Sequence, residues 1–394
     1  VPDAVQSRIQ TRAARELEEL RGQAQLRTLE NLSGINLSSN DYLGLATNPR
    51  LKRAVAEAVA NAKAVGSTGS RLLSGNTPEW EALESEFAAF AQTDAALYFG
   101  AGYSANVGLL SSILKPGDVV FSDAFNHASL IDGIRLSRAT KVIYPHADMQ
   151  ALEHALREHS QSTGAKVIVT ESVFSMEGDV APISSLLRLA RDHGAELILD
   201  EAHATGVLGP QGRGLAAECG ITREILATVH TCGKALGSAG AFVCGGATLK
   251  NYLVNRARTF IFSTAMPPYF AGQIRAALHL AMQSDAERAH LREIGNVLRE
   301  ELSAMGVAFG ASATQIIPVF CGSNESALHV AGHLRANGFA AKAIRPPTVA
   351  AGTARVRISL TAKITCEDVQ RLARALSAAF QSLPQSQSAS VVHA

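Results

Sequence analysis

The sequence predicts an α/β protein with a large domain, built on a mainly parallel seven-stranded sheet between helices, and a smaller C-terminal α+β domain. Three observations carry this. Short apolar runs recur over residues 95–246 with helical patterns between most of them, which is how parallel strands covered on both faces read. Near residue 270 that alternation gives way to a long helical run and then to further strands. The 394 residues, 47% hydrophobic and 18% charged, are enough for more than one compact core.

Residues 5–30 read as one charged amphipathic helix, and "INLSSNDYLGLATNP" as a short extended stretch with turn chemistry. Pro49 opens a helix in "PRLKRAVAEAVANA", where it costs no hydrogen bond. The expected strands are "AALYF" (95–99), "DVVFSD" (118–123), "KVIYP" (141–145), "KVIVTES" (166–172), "ELILDEA" (196–202), "ATVHT" (227–231) and "GAFVCGG" (240–246). Helical patterns fill 104–114, 127–138, 148–160 and 183–193. A helical run over 270–305 precedes strands near 316–320, 340–344 and 354–360, and a last helix covers 366–382. The chain thus divides into an arm (1–48), a large domain (49–275), a small domain (276–383) and a polar, disordered tail (384–394).

Formal net charge is +1, from 36 basic and 35 acidic residues, so neither nucleic acid nor a membrane surface is expected as a partner. No run of about 18 apolar residues occurs. The start, "VPDAVQSRIQTRAARELEEL", lacks the apolar core of a signal peptide, and Asp3, Glu16, Glu18 and Glu19 weigh against an organelle address; a cytoplasmic protein is expected. Cys219, Cys232, Cys244, Cys321 and Cys366 never form C-x-x-C, which speaks against a zinc site or a disulfide framework. The histidines of "HALREH" (154–159) do not share a helix face as metal ligands would, and no metal is expected.

The letters D-E-A-H in "LILDEAHATGVLG" (197–209) suggest a helicase box. That reading needs an upstream G-x-x-x-x-G-K-[ST] loop to cradle phosphates. Of nine lysines only Lys234 follows a glycine; it lies downstream, precedes Ala235, and has Thr228 where the first glycine should stand. In "YFGAGYSANVGLL", Gly100, Gly102 and Ala105 satisfy G-x-G-x-x-G/A after a strand, with Asp123 further on, so a dinucleotide site is a rival. The motif's physical content is more general: bared amides at a helix N-terminus favour an anion, and a plain tight turn remains the alternative.

Asp200 and His203 stand at a strand end, where ligands of parallel sheets gather, although a capping aspartate is equally common there. Lys234 sits among Gly233, Gly237 and Gly240; most loop lysines are solvated, but a buried one can join an aldehyde or act as a base. Thr231 offers a hydroxyl to a phosphate. Taken in order, a phosphate turn, a carboxylate for a cationic ring nitrogen and an amine for an aldehyde match the needs of pyridoxal phosphate. A nicotinamide dinucleotide would leave Lys234 and the Asp200–His203 pair unexplained.

Over roughly residues 5–380 the chain resembles the α-oxoamine synthases, fold-type I pyridoxal phosphate enzymes that condense an amino acid with an acyl thioester. The stretches are "SSNDYLGL" (38–45), "GSTGSRLLSGN" (66–76), "FNHASLIDG" (125–133), "ESVFSMEGDVAPI" (171–183), "LDEAHATGVLGPQGRG" (199–214), "TCGKALGSAGAFV" (231–243) and "FIFSTAMPP" (260–268). Within the family, "AIRPPTVAAGTARVRISLTA" (343–362) is closest to the branch of biotin synthesis that joins L-alanine to pimeloyl-CoA or pimeloyl carrier protein.

The resemblance implies that Lys234 bonds the cofactor and later moves the α-proton, with Asp200 on the pyridine nitrogen and His203 with Ser175 on the phenolic oxygen. It implies His127 on the ring face and toward the acyl carbonyl. Gly102, Tyr103 and Thr231 would hold the phosphate, with Ser263 and Thr264 reaching the phosphate of a partner subunit in a homodimer with shared sites. Arg357, with Asn40 nearby, would clamp the amino-acid carboxylate, Arg345 would assist, and Arg21 and Thr348 would line the acyl path. Arg21 also reads as part of a solvated face, and Thr348 after Pro346–Pro347 as turn chemistry. Rivals are a glycine C-acetyltransferase, a sphingoid-base synthase, a fold-type I aminotransferase and a non-catalytic pyridoxal phosphate-binding subunit.

Overall fold

A computed structural model describes residues 7–383; the polar tail 384–394 and the first residues of the expected N-terminal helix lie outside the described residues. The strands are β1 (Ile35–Asn36), β2 (Ala95–Phe99), β3 (Val119–Asp123), β4 (Thr140–Tyr144), β5 (Lys166–Glu171), β6 (Glu196–Asp200), β7 (Ala227–Thr231), β8 (Ala241–Gly245), β9 (Ile316–Gly322), β10 (Phe339–Ala340), β11 (Ala343–Ile344) and β12 (Ala354–Ser359). Strands β2 to β8 form a seven-stranded sheet in the order β2-β8-β7-β6-β5-β3-β4. Its strands are parallel except β8, which runs antiparallel to both β2 and β7.

The parallel strands are apolar because helices cover both faces. The helix Pro78–Ala91 shows how one is fixed. Pro78 and the acids Glu79 and Glu81 suit its first turn, Gln92 ends it in the left-handed region, and Trp80, Leu83, Phe87 and Phe90 are buried. Phe87 stacks on Phe242 of β8 at 3.9 Å and Trp80 on Tyr98 of β2 at 4.4 Å. Each such ring contributes about 1.5–3 kcal/mol by burial.

Two expectations after residue 270 are corrected. The helical run 270–305 is two helices, Tyr269–Met282 and Asp285–Ala304. At the break Ser284 Oγ donates to the Leu280 carbonyl (2.9 Å), and Arg288 Nη1 donates to that of Ala281 (2.6 Å), satisfying acceptors that a continuous helix would have used. The expected strand 340–344 is two short ones with different partners. β10 pairs in parallel with β1, whereas β11 pairs with β12 in the three-stranded sheet β11-β12-β9. The N-terminal helix spans only Arg8–Gly22 and buries none of its residues.

The parallel strands deliver their carboxyl ends to one edge. β3 leads to His127, β5 ends at Glu171, β6 at Asp200 and β7 at Thr231, with Glu171 in register beside Asp200. The turn 173–180, closed by a Val173–Val180 bridge, packs against the small sheet through Gly178. The Gly178 carbonyl accepts from Thr314 Oγ1 (2.8 Å) and from the Ala313 N–H (3.1 Å). Its φ is +72°, and a Cβ there would run into the Ile316 carbonyl. Gly178→Ala should therefore cost about 2–3 kcal/mol, read as a lower urea midpoint at unchanged slope.

Candidate active site

The site opens at the turn between β2 and the helix Gly102–Ile113. No side chain caps this helix, whose N-cap is Ala101, so its first-turn N–H groups are not taken up by a capping side chain. Gly102 keeps the floor low: a Cβ there would press on Thr231 Cγ2 at 2.8 Å. A cavity of about 430 Å³ lies over these residues, lined also by Asn40, His127, Glu171, Asp200, His203 and Lys234.

Asp200 is buried and fixed at both oxygens. Its Oδ1 accepts from the Ala202 N–H (2.9 Å) and its Oδ2 from Asn106 Nδ2 (2.7 Å). Asn106 Nδ2 also donates to Ser129 Oγ (2.9 Å), which lies 2.8 Å from His127 Nδ1. A continuous polar chain thus links the strand-end carboxylate to the imidazole across the cavity. Glu171 is the second carboxyl. Burial, and then the charge of Asp200, raise its pKa well above the usual carboxylate range, which favours the neutral acid. Its Oε1 and Asn106 Oδ1 are buried without a partner, which makes them fit to meet a bound group. Glu201, by contrast, is structural: it accepts from Ser172 Oγ and from the N–H groups of Leu215 and Ala216, fixing the short helix Leu215–Glu218.

Lys234 is half-buried in the loop before β8. Burial lowers its pKa to about 8, against the pull of Asp200 and Glu171. Its Nζ lies 2.9 Å from His203 Nε2, and His203 Nδ1 lies 2.6 Å from the Tyr42 hydroxyl. Burial, then Lys234 and Arg357, hold His203 well below its ordinary pKa, so the ring is neutral. With Tyr42 donating to Asn40 Oδ1 (3.0 Å), His203 donates from Nδ1 and accepts from Lys234 at Nε2. Arg357 Nη1 donates to the same Asn40 oxygen (3.1 Å), and its Nε to the Ser175 carbonyl.

The structure therefore gathers Gly102, Tyr103, His127, Asp200, His203, Thr231, Lys234 and Asn40 around one cavity, with Arg357 and Ser175 directly behind Asn40. Other expected residues lie elsewhere in the chain. Ser263 and Thr264 are exposed beside a narrow cleft with Arg71 and Trp80. Arg21 is exposed and paired with Glu18. Arg345 donates to the carbonyls of Ala24 and Leu26, and Thr348 Oγ1 accepts from Arg27, so both hold the arm rather than line the cavity. Sequence reasoning missed Asn106, Ser129, Glu171 and Tyr42. A polar Asn106 one helical turn from Gly102, amid apolar neighbours, was the one readable signal.

These residues fit pyridoxal phosphate: an uncapped helix N-terminus for phosphate, a fixed carboxylate for a cationic ring nitrogen, and a desolvated amine for an aldehyde. The chain belongs to the aminotransferase class I and II family, whose model matches residues 33–376. Its fold is that of the fold-type I pyridoxal phosphate transferases: a serine palmitoyltransferase variant from S. paucimobilis with a bound PLP–myriocin aldimine superposes with a TM-score of 0.88, at 27% identity over 96% of this chain and 99% of that one. Within the family, its curated relatives include 8-amino-7-oxononanoate synthases. That of Burkholderia mallei is 48% identical over 355 residues, 89% of each chain, and that of Geobacter sulfurreducens 44% over 378, covering 92% of this chain and 96% of the relative.

A neutral Glu171 has a consequence for the ligand-free protein. Its folded pKa lies above its unfolded one, so its stabilising contribution is full below about pH 4.5 and is lost as pH rises toward the folded value. Glu171→Gln, neutral throughout, should lack this loss. Thermal melts across the pH range should show the variant gaining on wild type above about pH 4.5. A constant difference would show Glu171 to be ionised.

Proposed function

We propose that this chain is a pyridoxal phosphate-dependent acyltransferase that condenses L-alanine with pimeloyl-CoA or pimeloyl carrier protein. The products are 8-amino-7-oxononanoate, CO₂, and CoA or free carrier protein, a step of biotin synthesis. The observation that carries the reading is the half-buried Lys234 amine, which lines with Asp200 a cavity floored by an uncapped helix N-terminus. Its relatives named for this activity stand at 44% and 48% identity, well above the 27% of the serine palmitoyltransferase, which favours the short dicarboxylic acyl chain over a sphingoid one.

Bound pyridoxal phosphate supplies an aldehyde that captures amines and a cationic ring that takes up the electron pair left by a departing proton or carboxyl group. The residues of the chain do the rest. Gly102, Tyr103 and Thr231 would hold the phosphate, Asp200 would keep the ring nitrogen protonated, and His203 and Ser175 would hold the phenolic oxygen. Lys234, whose pKa burial lowers to about 8, is neutral in a usable fraction at physiological pH, so its amine would be able to bond the aldehyde and to take and return a proton at the α-carbon. Arg357, backed by Asn40, holds the alanine carboxylate until it leaves as CO₂. His127, anchored through Ser129, meets the acyl carbonyl as its oxygen gains charge. Arg345, Thr348 and Arg21 guide the acyl chain by way of the arm that the first two hold.

The protein acts as a homodimer in the cytoplasm. Exposed Val65, Leu72, Leu73 and Phe262 support an apolar interface near Ser263 and Thr264, and the described cysteines are unpaired. Among the described residues no helix is long and apolar enough to cross a membrane.

Thiol release from crossed pairs of alanine or glycine with pimeloyl-CoA or acetyl-CoA tests the reading. Release with alanine and pimeloyl-CoA alone, falling at least about 10³-fold in Lys234→Ala, is expected. Release with glycine and acetyl-CoA would make it a glycine C-acetyltransferase, and no release would favour an aminotransferase, a thioester outside this set or a silent subunit. Capture of pyridoxal phosphate by the apo-protein, followed by absorbance, should accelerate with pH through a limb near 8, because only the neutral amine adds.

A further inference from the structure

An ion triad outside the cavity plays no part in the mechanism above. His146 follows β4, with Nδ1 3.0 Å from Asp123 Oδ1 and Nε2 2.8 Å from Asp179 Oδ2. Both ring nitrogens face carboxylates, so both carry protons. Burial opposes that charge, but the hydrogen bonds and charges of Asp123 and Asp179 outweigh it and lift the ring to about 10. Phe125 stacks on the ring and Phe174 meets it edge-on, each at 4.3 Å between centroids.

Both aspartates belong to backbone that shapes the site, and the Asp123 carboxylate grips it directly. Asp123 ends β3; its Oδ1 accepts from the Phe125 N–H (2.8 Å) and its Oδ2 from the Ala147 N–H (2.9 Å). Phe125 and His127 share one loop. Asp179 lies in the turn 173–180, where its carbonyl accepts from the Phe174 N–H (3.1 Å). The next residue, Ser175, offers its carbonyl to Arg357 Nε. The other charged groups packed near the triad are Glu177 and its partner Arg355, 2.9 Å away.

We propose that His146 is a positioning residue for the candidate site: by pairing with Asp123 and Asp179 it holds the His127 loop and the Ser175 turn, and behind the latter Arg357, in one fixed relation. This rests on the reading that His127, Ser175 and Arg357 serve the cofactor and the amino acid. Without the imidazolium the buried Asp123 and the half-buried Asp179 carboxylates face each other, and the loop and turn have a reason to move apart.

The test follows the ring resonances of His127 by NMR in cofactor-free, histidine-labelled full-length protein, with kcat and KM measured on the loaded protein. Wild type, His146→Gln and Asp179→Asn are compared. The expected result is displaced His127 resonances in both variants and kcat lowered about ten-fold, with KM for the thioester changed less than about two-fold. Asp179→Asn removes the charge that pairs with His146 Nε2, and it decides the matter if His146→Gln does not fold. A lower melting temperature with His127 resonances and kcat unmoved overturns the proposal. Failure of wild type to bind pyridoxal phosphate would overturn the cofactor reading instead, while the resonances of the cofactor-free protein would still settle the role of His146.

Discussion

A half-buried amine beside two buried carboxyl groups is the constraint on which the rest of the structure depends. Lys234, Asp200 and Glu171 lie at the carboxyl ends of neighbouring elements because the parallel register leaves them there. Three ionisable groups in so little water cannot all hold their ordinary charges. The chain resolves this unequally. Asp200 receives two hydrogen bonds, Glu171 is pushed toward the neutral acid, and Lys234 moves toward the neutral amine.

That division explains the polar scaffolding around the cavity. Asn106 spends both donors on Asp200 and Ser129, joining a carboxylate to an imidazole that meets it only through side chains. On the opposite side, His203 bridges Lys234 to Tyr42, and Tyr42 and Arg357 converge on Asn40. Asn40 and Tyr42 come from the segment just after β1, Arg357 from β12, and the others from the large sheet. Segments far apart in the chain therefore have to meet before the amine has its full environment.

The large sheet was legible because each strand is a short apolar run bounded by turn residues, so local pattern and tertiary role agree. The residues adjacent to strand ends were legible for the same reason: Asp200, His203, Thr231 and Lys234 stand where the strand pattern stops. Glu171 stands at such a stop too, yet its meaning depends on lying beside Asp200, which is a matter of register. Asn106 takes on its meaning only with its partner Asp200, far along the chain, in place. The division of 340–344 between two sheets depends on which partner each two-residue strand finds, and no local pattern states that. Arg345 and Thr348 lay in a readable motif, but their hydrogen bonds run to the arm, over a span of sequence that spacing does not reach.

The pairing of β1 with β10 sets an order on biosynthesis. Ile35 and Asn36 leave the ribosome early, while Phe339 and Ala340, the backbone they bond to, emerge only after most of the chain. Arg345, which secures the segment after the first helix, comes later still. The large sheet has all its strands by residue 245 and can close first, so the arm waits as a tethered, unpaired strand edge during translation. Its docking is a late, long-range event, and the nascent chain spends that interval with Asn40 and Tyr42 still apart from the arginine they will share.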